Sequence, residues 1–473
     1  MVDPLPMQTI FDASAVSRDA DATPPPGAEG SISMTVWQLT RSFGTAVASR
    51  GRRAMLDQIY ASSFWRQTLG GPVPDRILYF PRTYQPRNMR TGQQILNGYW
   101  KLPGGAVDCH DISPFSAPAP NEIWAEAAHG FGWLAHLEAL GTDAAQAKAR
   151  HATAHWLKTF SAFHPVGWRA HVTGRWVISW LAHGRFLLAD SDPLFRNHVL
   201  WSLARQARHL TRTAASAPDG LPRITAAAAV TLSGLCLPEG EKRLAAGAHA
   251  LALELDRQIL PDGAHVSRSP ETLGLVLADL LAVLGAYKAR EIAPPAELRR
   301  ALDRMAPALR FFCHADGRLA SFNGGSEGPD GWPAQLLAQD DAQGAPLDHA
   351  SHVGFHRIAA GEAILIADTG LPPAPEFSSA AHAGTLSFEF SHGPDRIVVN
   401  CGAPLMRDME WRASMRATAA HSTVTVSDTS SSQLLTKGLA HQFLGAQLIG
   451  GPRSVRSKRA SDDYGQTILA SHD

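Results

Sequence analysis

Phe311-Phe312-Cys313-His314-Ala315-Asp316-Gly317-Arg318-Leu319-Ala320-Ser321-Phe322-Asn323-Gly324-Gly325-Ser326-Glu327-Gly328-Pro329-Asp330-Gly331-Trp332-Pro333 is the stretch where the texture of the chain changes. Before it, apolar residues recur at helical spacing, with short breaks rich in Gly, Pro and Asp. After it, they fall into short β-branched or alternating runs bounded by turn residues, the pattern of antiparallel strands. Helices followed by strands argue for two separate layers and against an alternating βαβ sheet.

Working upstream, the periodicity predicts helices over Glu122–Leu140, Asp143–Phe160, Arg175–Ala189, Leu194–Ala215, Thr225–Leu237, Glu239–Leu260, Ser269–Tyr287 and Pro295–Phe312. Asp219-Gly220-Leu221-Pro222 and Leu260-Pro261-Asp262-Gly263 are turn signals between successive helices. Paired helices in this number suit an incomplete (α/α) toroid or a solenoid, whose concave groove fits a long polymer. Downstream, strands are expected over Val353–Ala359, Glu362–Asp368, Thr385–Ser391, Arg396–Asn400, Ser422–Ser427 and Phe443–Ile449. A last strand over Gln466–Asp473 has no evident partner. The expected organisation is α+β and multidomain: a disordered leader over 1–30, a helical domain over 31–312, a Gly/Pro-rich connection over 313–345, and an antiparallel β-sandwich over 346–473 that looks cut short.

Composition removes several function classes. With 43 Lys+Arg against 43 Asp+Glu, there is no general field to gather nucleic acid. Cys109, Cys236, Cys313 and Cys401 lie far apart with no CxxC pair, which argues against a thiolate zinc module and a dense disulfide scaffold. The most apolar stretch, Leu273 to Leu284, carries Asp279 and falls short of the roughly 20 apolar residues of a membrane span. Met1 to Gly30 shows neither a basic start nor a continuous apolar run, so no secretory signal is legible. Oligomeric state is not readable.

Three blocks concentrate chemistry: Ala381-His382-Ala383-Gly384-Thr385-Leu386-Ser387-Phe388-Glu389, Val398-Val399-Asn400-Cys401-Gly402, and Arg416-Ala417-Thr418-Ala419-Ala420-His421-Ser422-Thr423-Val424. If their strands pair, His382, Asn400 and His421 converge on one face, where two imidazoles and an amide oxygen can meet a metal or an anion. Equally, each histidine can cap a strand and bond a backbone carbonyl.

These blocks resemble the heparinase II/III family of polysaccharide lyases. The family's C-terminal domain carries H-G-H-A-D-x-L-S-F-E, a strand ending D-x-G, and R-x-T-x-A-H-N-T-V, and the three blocks above are their counterparts. Ile259-Leu260-Pro261-Asp262-Gly263-Ala264-His265-Val266-Ser267-Arg268-Ser269-Pro270 looks like the family's I-L-P-D-G-G-H-x-x-R-x-P turn. Arg304 to Phe312 and Phe322-Asn323-Gly324 look like its transition into the β domain. The resemblance implies a toroid joined to a β-sandwich, an acidic, uronate-containing polysaccharide between them, β-elimination as the reaction, and a cell-envelope or periplasmic location. Without a visible signal, the cytoplasm stays open.

The chain departs from the family where that chemistry resides. Its carboxylate-neutralising Asn-His is Leu221-Pro222 here, and the proton-donating Tyr falls near Thr272. The first His of H-G-H falls on Ala380, and the Asp of the structural zinc site on Asn400, so zinc would rest on His382, Asn400 and His421, a weaker set. Replacement candidates are Arg223 or Arg268 to neutralise a uronate, His265 as base or acid, and Glu271 beside them. The alternative is that these groups merely brace the turn. Substrate contacts are expected from Arg175 and Trp176, from Asn323, and from Trp411 and Arg416 on the β side, although Trp176 and Trp180 at helical spacing also suit core packing. Three readings follow: a lyase with a rebuilt site, a catalytically degenerate carbohydrate-binding protein of the same fold, and, last, a glycoside hydrolase, for which Glu271 lacks an evident acidic partner.

Overall fold

The computed structural model describes residues 36–110, 112–339, 345–402, 409–463 and 465–473; the leader expected over 1–30 lies outside them. The helical region opens with α1 (Val36–Ala61), α2 (Ser63–Thr68) and α3 (Met89–Leu96), followed by a small hairpin of β1 (Tyr99–Leu102) and β2 (Gly105–Asp108). It continues through α4 (Glu122–His129), α5 (Leu134–Glu138), α6 (Asp143–Phe160), α7 (Ala170–Ala182), α8 (Gly184–Leu188), α9 (Pro193–Thr213), α10 (Leu221–Cys236), α11 (Glu241–Gln258), α12 (Pro270–Ala289) and α13 (Ala296–Phe311).

Local sequence starts these helices where polar caps stand. The side chains of Asn121, Thr142, Asp192 and Ser269 each accept the backbone N–H three residues on, at the heads of α4, α6, α9 and α12. Two expected helices are broken. Glu122–Leu140 splits at Gly130 and at Phe131, which takes φ +57° and turns its fully buried ring against Trp133, Trp156 and Trp180. Arg175–Ala189 breaks at His183, just before Gly184, where a Cβ would sit 2.5 Å from the Phe80 ring.

Helix α10 is the central strut, packed against α7, α11 and α12. Small residues let these backbones approach: a Cβ at Gly247 of α11 would meet the Thr231 nitrogen of α10 at 2.5 Å. Helix α12 has the length and hydropathy to cross a membrane, but two thirds of that apolar window is buried within the protein. The polar residue inside it, Asp279, is 1% exposed and accepts both Nη groups of Arg175 (2.8 and 3.0 Å), the Thr225 hydroxyl (2.9 Å) and the Gln85 amide (2.8 Å). Arg175, part-exposed, is thus engaged in a bidentate ion pair with the buried Asp279, the place where its expected substrate contact would have to compete. Trp176, 1% exposed, is core packing against Trp156 and Trp180.

The connection holds α14 (Trp332–Leu337), and the strands then form a five-stranded antiparallel meander of β3 (His349–Ala350), β4 (Phe355–Ala360), β5 (Ala363–Asp368), β6 (Phe388–His392) and β7 (Asp395–Val398). After it come α15 (Met409–Ser414), β8 (Gln433–Leu434), α16 (Gly438–Leu444) and β9 (Leu448–Gly450), with β8 paired to β9, then the hairpin of β10 (Val455–Asp462) and β11 (Gly465–His472). Ser422–Ser427 forms no strand: Ser427 and Asp428 take positive φ, leaving one bridge between Val426 and Thr429. Phe443 belongs to α16, and only the end of Phe443–Ile449 is extended. The last predicted strand does have a partner, β10, whose run of Arg456, Lys458 and Arg459 hid its alternation. Among the described residues the sandwich is thus one five-stranded sheet with two-stranded ladders beside it.

Replacing Asp279 with Ala strands the Arg175 guanidinium in the helical core. The expected cost is about 3–5 kcal/mol of stability, the range for breaking a buried ion pair, read as a fall in denaturation midpoint. A change within 1 kcal/mol would show that the pair is not the core's polar anchor.

Candidate functional site

The turn between α11 and α12 folds onto the sheet. Leu260 N–H bonds the Ala264 carbonyl, and Gly263, at φ +84°, lies where a Cβ would come within 1.9 Å of the Arg304 carbonyl oxygen, so only glycine fits. His265 is 1% exposed, with Nε2 2.9 Å from the Gln258 amide oxygen and Nδ1 2.8 Å from the Ser267 hydroxyl. Burial pushes its pKa down to about 3. The ring is neutral and sealed, so the expectation that His265 is a base in a cleft gives way to a bracing role.

Arg268, at φ +60°, leaves the helical region and enters the sheet. Its Nε donates to the Val353 carbonyl (2.8 Å), Nη2 donates to Asp368 Oδ1 (2.6 Å), and the guanidinium lies over the Phe355 ring (4.8 Å). Both charged side chains are buried, 7% and 4% exposed. Burial holds the Asp368 carboxyl above its usual value against the opposing pull of Arg268. Asp262 accepts the N–H groups of His352 (2.9 Å) and Val353 (2.8 Å) beside it. Asn323 joins this seam: Nδ2 donates to the Arg268 carbonyl (3.2 Å), and Oδ1 accepts the His382 N–H (3.4 Å).

Next along the seam, His382 and His421 stack with centroids 4.5 Å apart and planes 21° off parallel. His382 Nε2 accepts the Gly324 N–H at 2.9 Å. Asn400 Oδ1 accepts both the N–H (3.1 Å) and the hydroxyl (3.2 Å) of Ser422. Of these three side chains, His421 has the buried nitrogen, Nε2, that lacks a hydrogen-bond partner. Burial, then the neighbouring His421, Arg416 and Arg412, hold His382 well below the ordinary imidazole value, and burial brings His421 to about 4. The residues do converge, but two of three lone-pair sets are spent, and no group of three His, Cys, Asp or Glu gathers among the described residues. The donor set does not fit zinc.

The remaining nominees are also engaged. Arg223 donates from Nε (2.9 Å) and Nη2 (2.7 Å) to the Ala217 carbonyl, with Nη1 on Asp219 (2.8 Å). Glu271 accepts the N–H (2.9 Å) and hydroxyl (3.0 Å) of Ser326, and burial raises its carboxyl above the usual value. Arg416, 4% exposed, donates to the carbonyls of Ala381 (2.7 Å) and Ser378 (3.0 Å), and burial, with Arg412 adding to it, lowers it to about 10. Trp411 is exposed on α15. The structure thus gathers Arg268, Asn323, His382, Asn400, Arg416 and His421 along one seam, leaves Arg175 and Trp176 in the helical core, and sets Arg223 apart.

Glu389, the centre of the seam, was not singled out by sequence. It is fully buried on β6 and accepts the N–H groups of Ser321 (3.0 Å) and Asn400 (3.2 Å), the Asn400 amide (3.3 Å) and Arg396 Nη1 (3.1 Å), with His314 Nε2 3.2 Å away. The available signal was a charged residue at an inward position of the alternating strand Phe388–His392, whose burial requires partners.

Comparison with known proteins agrees with this architecture. Residues 342–473 match the family model "Heparinase II/III-like, C-terminal". FtsZ-localized protein C of Caulobacter vibrioides is 33% identical over 418 residues, 88% of this chain and 71% of that protein. Among solved structures, heparinase III superposes with a TM-score of 0.54 at 14% identity, over 69% of this chain and only 58% of its own. A mutant of the heparan sulfate lyase HepC from Pedobacter heparinus gives 0.51 at 17% identity, over 89% and 71%. Likeness at such identities establishes the fold: a helix-rich N-terminal region followed by an antiparallel sheet region.

Two outcomes are expected of the seam. Imidazoles held near 3 and 4 stay neutral in the fold while the unfolded chain protonates below about pH 6.5. Their contribution is complete above that pH and is lost as pH falls toward 4, at about 1.4 kcal/mol per pH unit per proton. Stability curves of the wild type and His265→Gln between pH 4 and 7 should differ in slope by about one proton; identical slopes would mean that His265 titrates alike in both states. Dialysis against a chelator should leave the melting temperature unchanged and release no stoichiometric zinc, whereas one equivalent of zinc per chain would overturn the donor analysis.

Proposed function

The chain belongs to the heparinase II/III family, and on that premise we propose that it keeps the polysaccharide-lyase fold as a binding scaffold and has lost the eliminating chemistry. The observation that carries this reading is the saturation of the candidate site. β-Elimination needs a neutralising cation and an acid or base with open lone pairs or protons at the reacting sugar. Arg223, Arg268 and Arg416 spend their donors on the chain's own carbonyls and carboxylates, and His265 has both nitrogens engaged inside the protein. Leu221 and Thr272 stand where the resemblance places the neutraliser and the proton donor, and neither can do that work.

The relative's name suggests the setting. That relative's name links it to FtsZ, and we infer the same setting for this chain, in the cytoplasm and away from envelope glycans, where the fold serves docking more than cleavage. The four free thiols suit a reducing compartment. In this reading the partner is an FtsZ-associated assembly, and an acidic polysaccharide is the ligand class that the fold has ceased to process.

Elimination by a rebuilt site remains the competing reading, and Glu271 favours it: a carboxyl raised by burial at the head of α12 is suited to hold a proton. One pair of measurements separates the two. Purified protein incubated with heparan sulfate, alginate or hyaluronan should give no rise in the ultraviolet absorbance of unsaturated uronate, and the same preparation should co-sediment with FtsZ polymers. Rising absorbance that Glu271→Gln abolishes would reinstate the lyase; a flat trace with no co-sedimentation would remove the FtsZ setting.

A further inference from the structure

A second place on the helical region has the composition of a ligand site and no part in the seam. Between α2 with the loop after it and the middle of α9 lies a cavity of about 400 Å³, whose wall includes Arg66, Trp201, Arg205 and Arg208 and the backbone of Gly70 and Gly71. No acidic residue lines it. Arg205 is the informative member, because it is only 9% exposed and yet pairs with no carboxylate among the described residues. Its guanidinium lies 4.4 Å from the Trp201 ring centroid and 6.0 Å from that of Trp168. Among the described residues its one hydrogen bond is a long one, from Nη1 to the Ser161 carbonyl at 3.4 Å. Aromatic faces fix the plane of a guanidinium without consuming its N–H donors, so the fork is held in place with most of its donors open.

The other two arginines complete the field. Arg208 donates to the carbonyls of Leu69 (3.2 Å) and Pro72, which fixes the Gly70-Gly71 loop against α9 and places a second cation beside the first. Arg66 stands exposed on α2, able to swing onto a ligand. Burial lowers Arg205, and Arg66 and Arg208 are close enough to lower it further; burial also lowers Arg208, against the opposing pull of Glu239. A buried guanidinium with like charges beside it and no ion pair among the described residues is costly, and a dianion relieves that cost.

We propose that this cavity binds a phosphate monoester carried on a small ring compound, with the phosphate on Arg205 and Arg66 and the ring against the exposed part of Trp201. The two guanidiniums that take the phosphate, Arg205 and Arg66, match a dianion in charge, and each fork matches its oxygens in bidentate geometry. The space is more than an inorganic anion occupies and falls in the range of small-molecule sites. The site stands apart from the candidate seam and does not depend on whether that seam is catalytic.

Titration calorimetry and thermal melting of the full chain, at constant ionic strength set with chloride, test it with glucose 6-phosphate and inorganic phosphate as probes. The expected result is saturable binding of glucose 6-phosphate, tighter than inorganic phosphate, and weakened at least about tenfold by Arg66→Gln and by Arg205→Gln, since one charge-assisted hydrogen bond is worth that factor. Arg66 is exposed, so its variant folds even if the Arg205 variant does not. Absence of saturable binding, or binding that Arg66→Gln leaves unchanged, would overturn the assignment. Equal affinity for the two probes would overturn the ester and leave a plain anion site.

Discussion

The union of the helical region with the sheet is centred on a buried cation, Arg268. Arg268 is presented by the turn before α12, but every group it satisfies belongs to the sheet side: the Val353 and Gly354 carbonyls, the Asp368 carboxylate and the face of Phe355. Phe312 and Phe322 pack edge-on against that same Phe355 ring, at 5.1 and 5.0 Å. An apolar box built of residues from the last helix, the connection and β4 therefore closes around one guanidinium. Such an arrangement is stable only when complete, because each partner removed leaves a desolvated charge or donor. The left-handed backbone at Arg268 and Asn323 is held by this over-determination.

Glu389 repeats the logic on the sheet's other flank. A carboxylate at zero exposure is tolerable because backbone and side-chain donors from the connection, β7 and the segment after it converge on its two oxygens. Arg396 is in turn divided between Glu389 and Asp316. The Gly/Pro-rich connection is thus stitched into the sheet along its length by Asp316, Ser321, Asn323 and Gly324. Rigid stitching and chemistry compete for the same atoms: an imidazole whose lone pair receives a backbone N–H cannot also take a proton from a substrate.

Much of the architecture was legible, and the residues show why. The change of texture at Phe312 locates the switch from helices to strands, since helix period and strand alternation are direct consequences of burying one face. The breaks at Phe131 and beside Gly184 were not legible, because they are set by distant rings, Trp156 and Phe80, that no local pattern announces. Strand β10, the partner of the expected last strand, escaped for the opposite reason: it is largely exposed on both faces, so its sequence carries no burial signal. For the site, His382, Asn400 and His421 lie along one seam, but sequence could not count their lone pairs. Whether the Asn400 oxygen is open or occupied depends on Ser422 and on nothing within Asn400 itself.

The residues that carried the resemblance are informative in that light. Asp262, Gly263, His265, Arg268, His382, Asn400, Arg416 and His421 all lie in the shared blocks, and in the structure each braces the joint or its flanking loops. The groups missing from the family pattern, replaced by Leu221 and Thr272, are ones on which the joint does not depend. A chain can therefore match the blocks and retain the fold while the atoms that perform elimination have gone, because the constraint that preserves the blocks is satisfaction of buried polar groups at the joint. Under the proposed function, fold and activity separate along a physical line: the buried donors at the joint are fixed by one another, whatever chemistry lies at their edge.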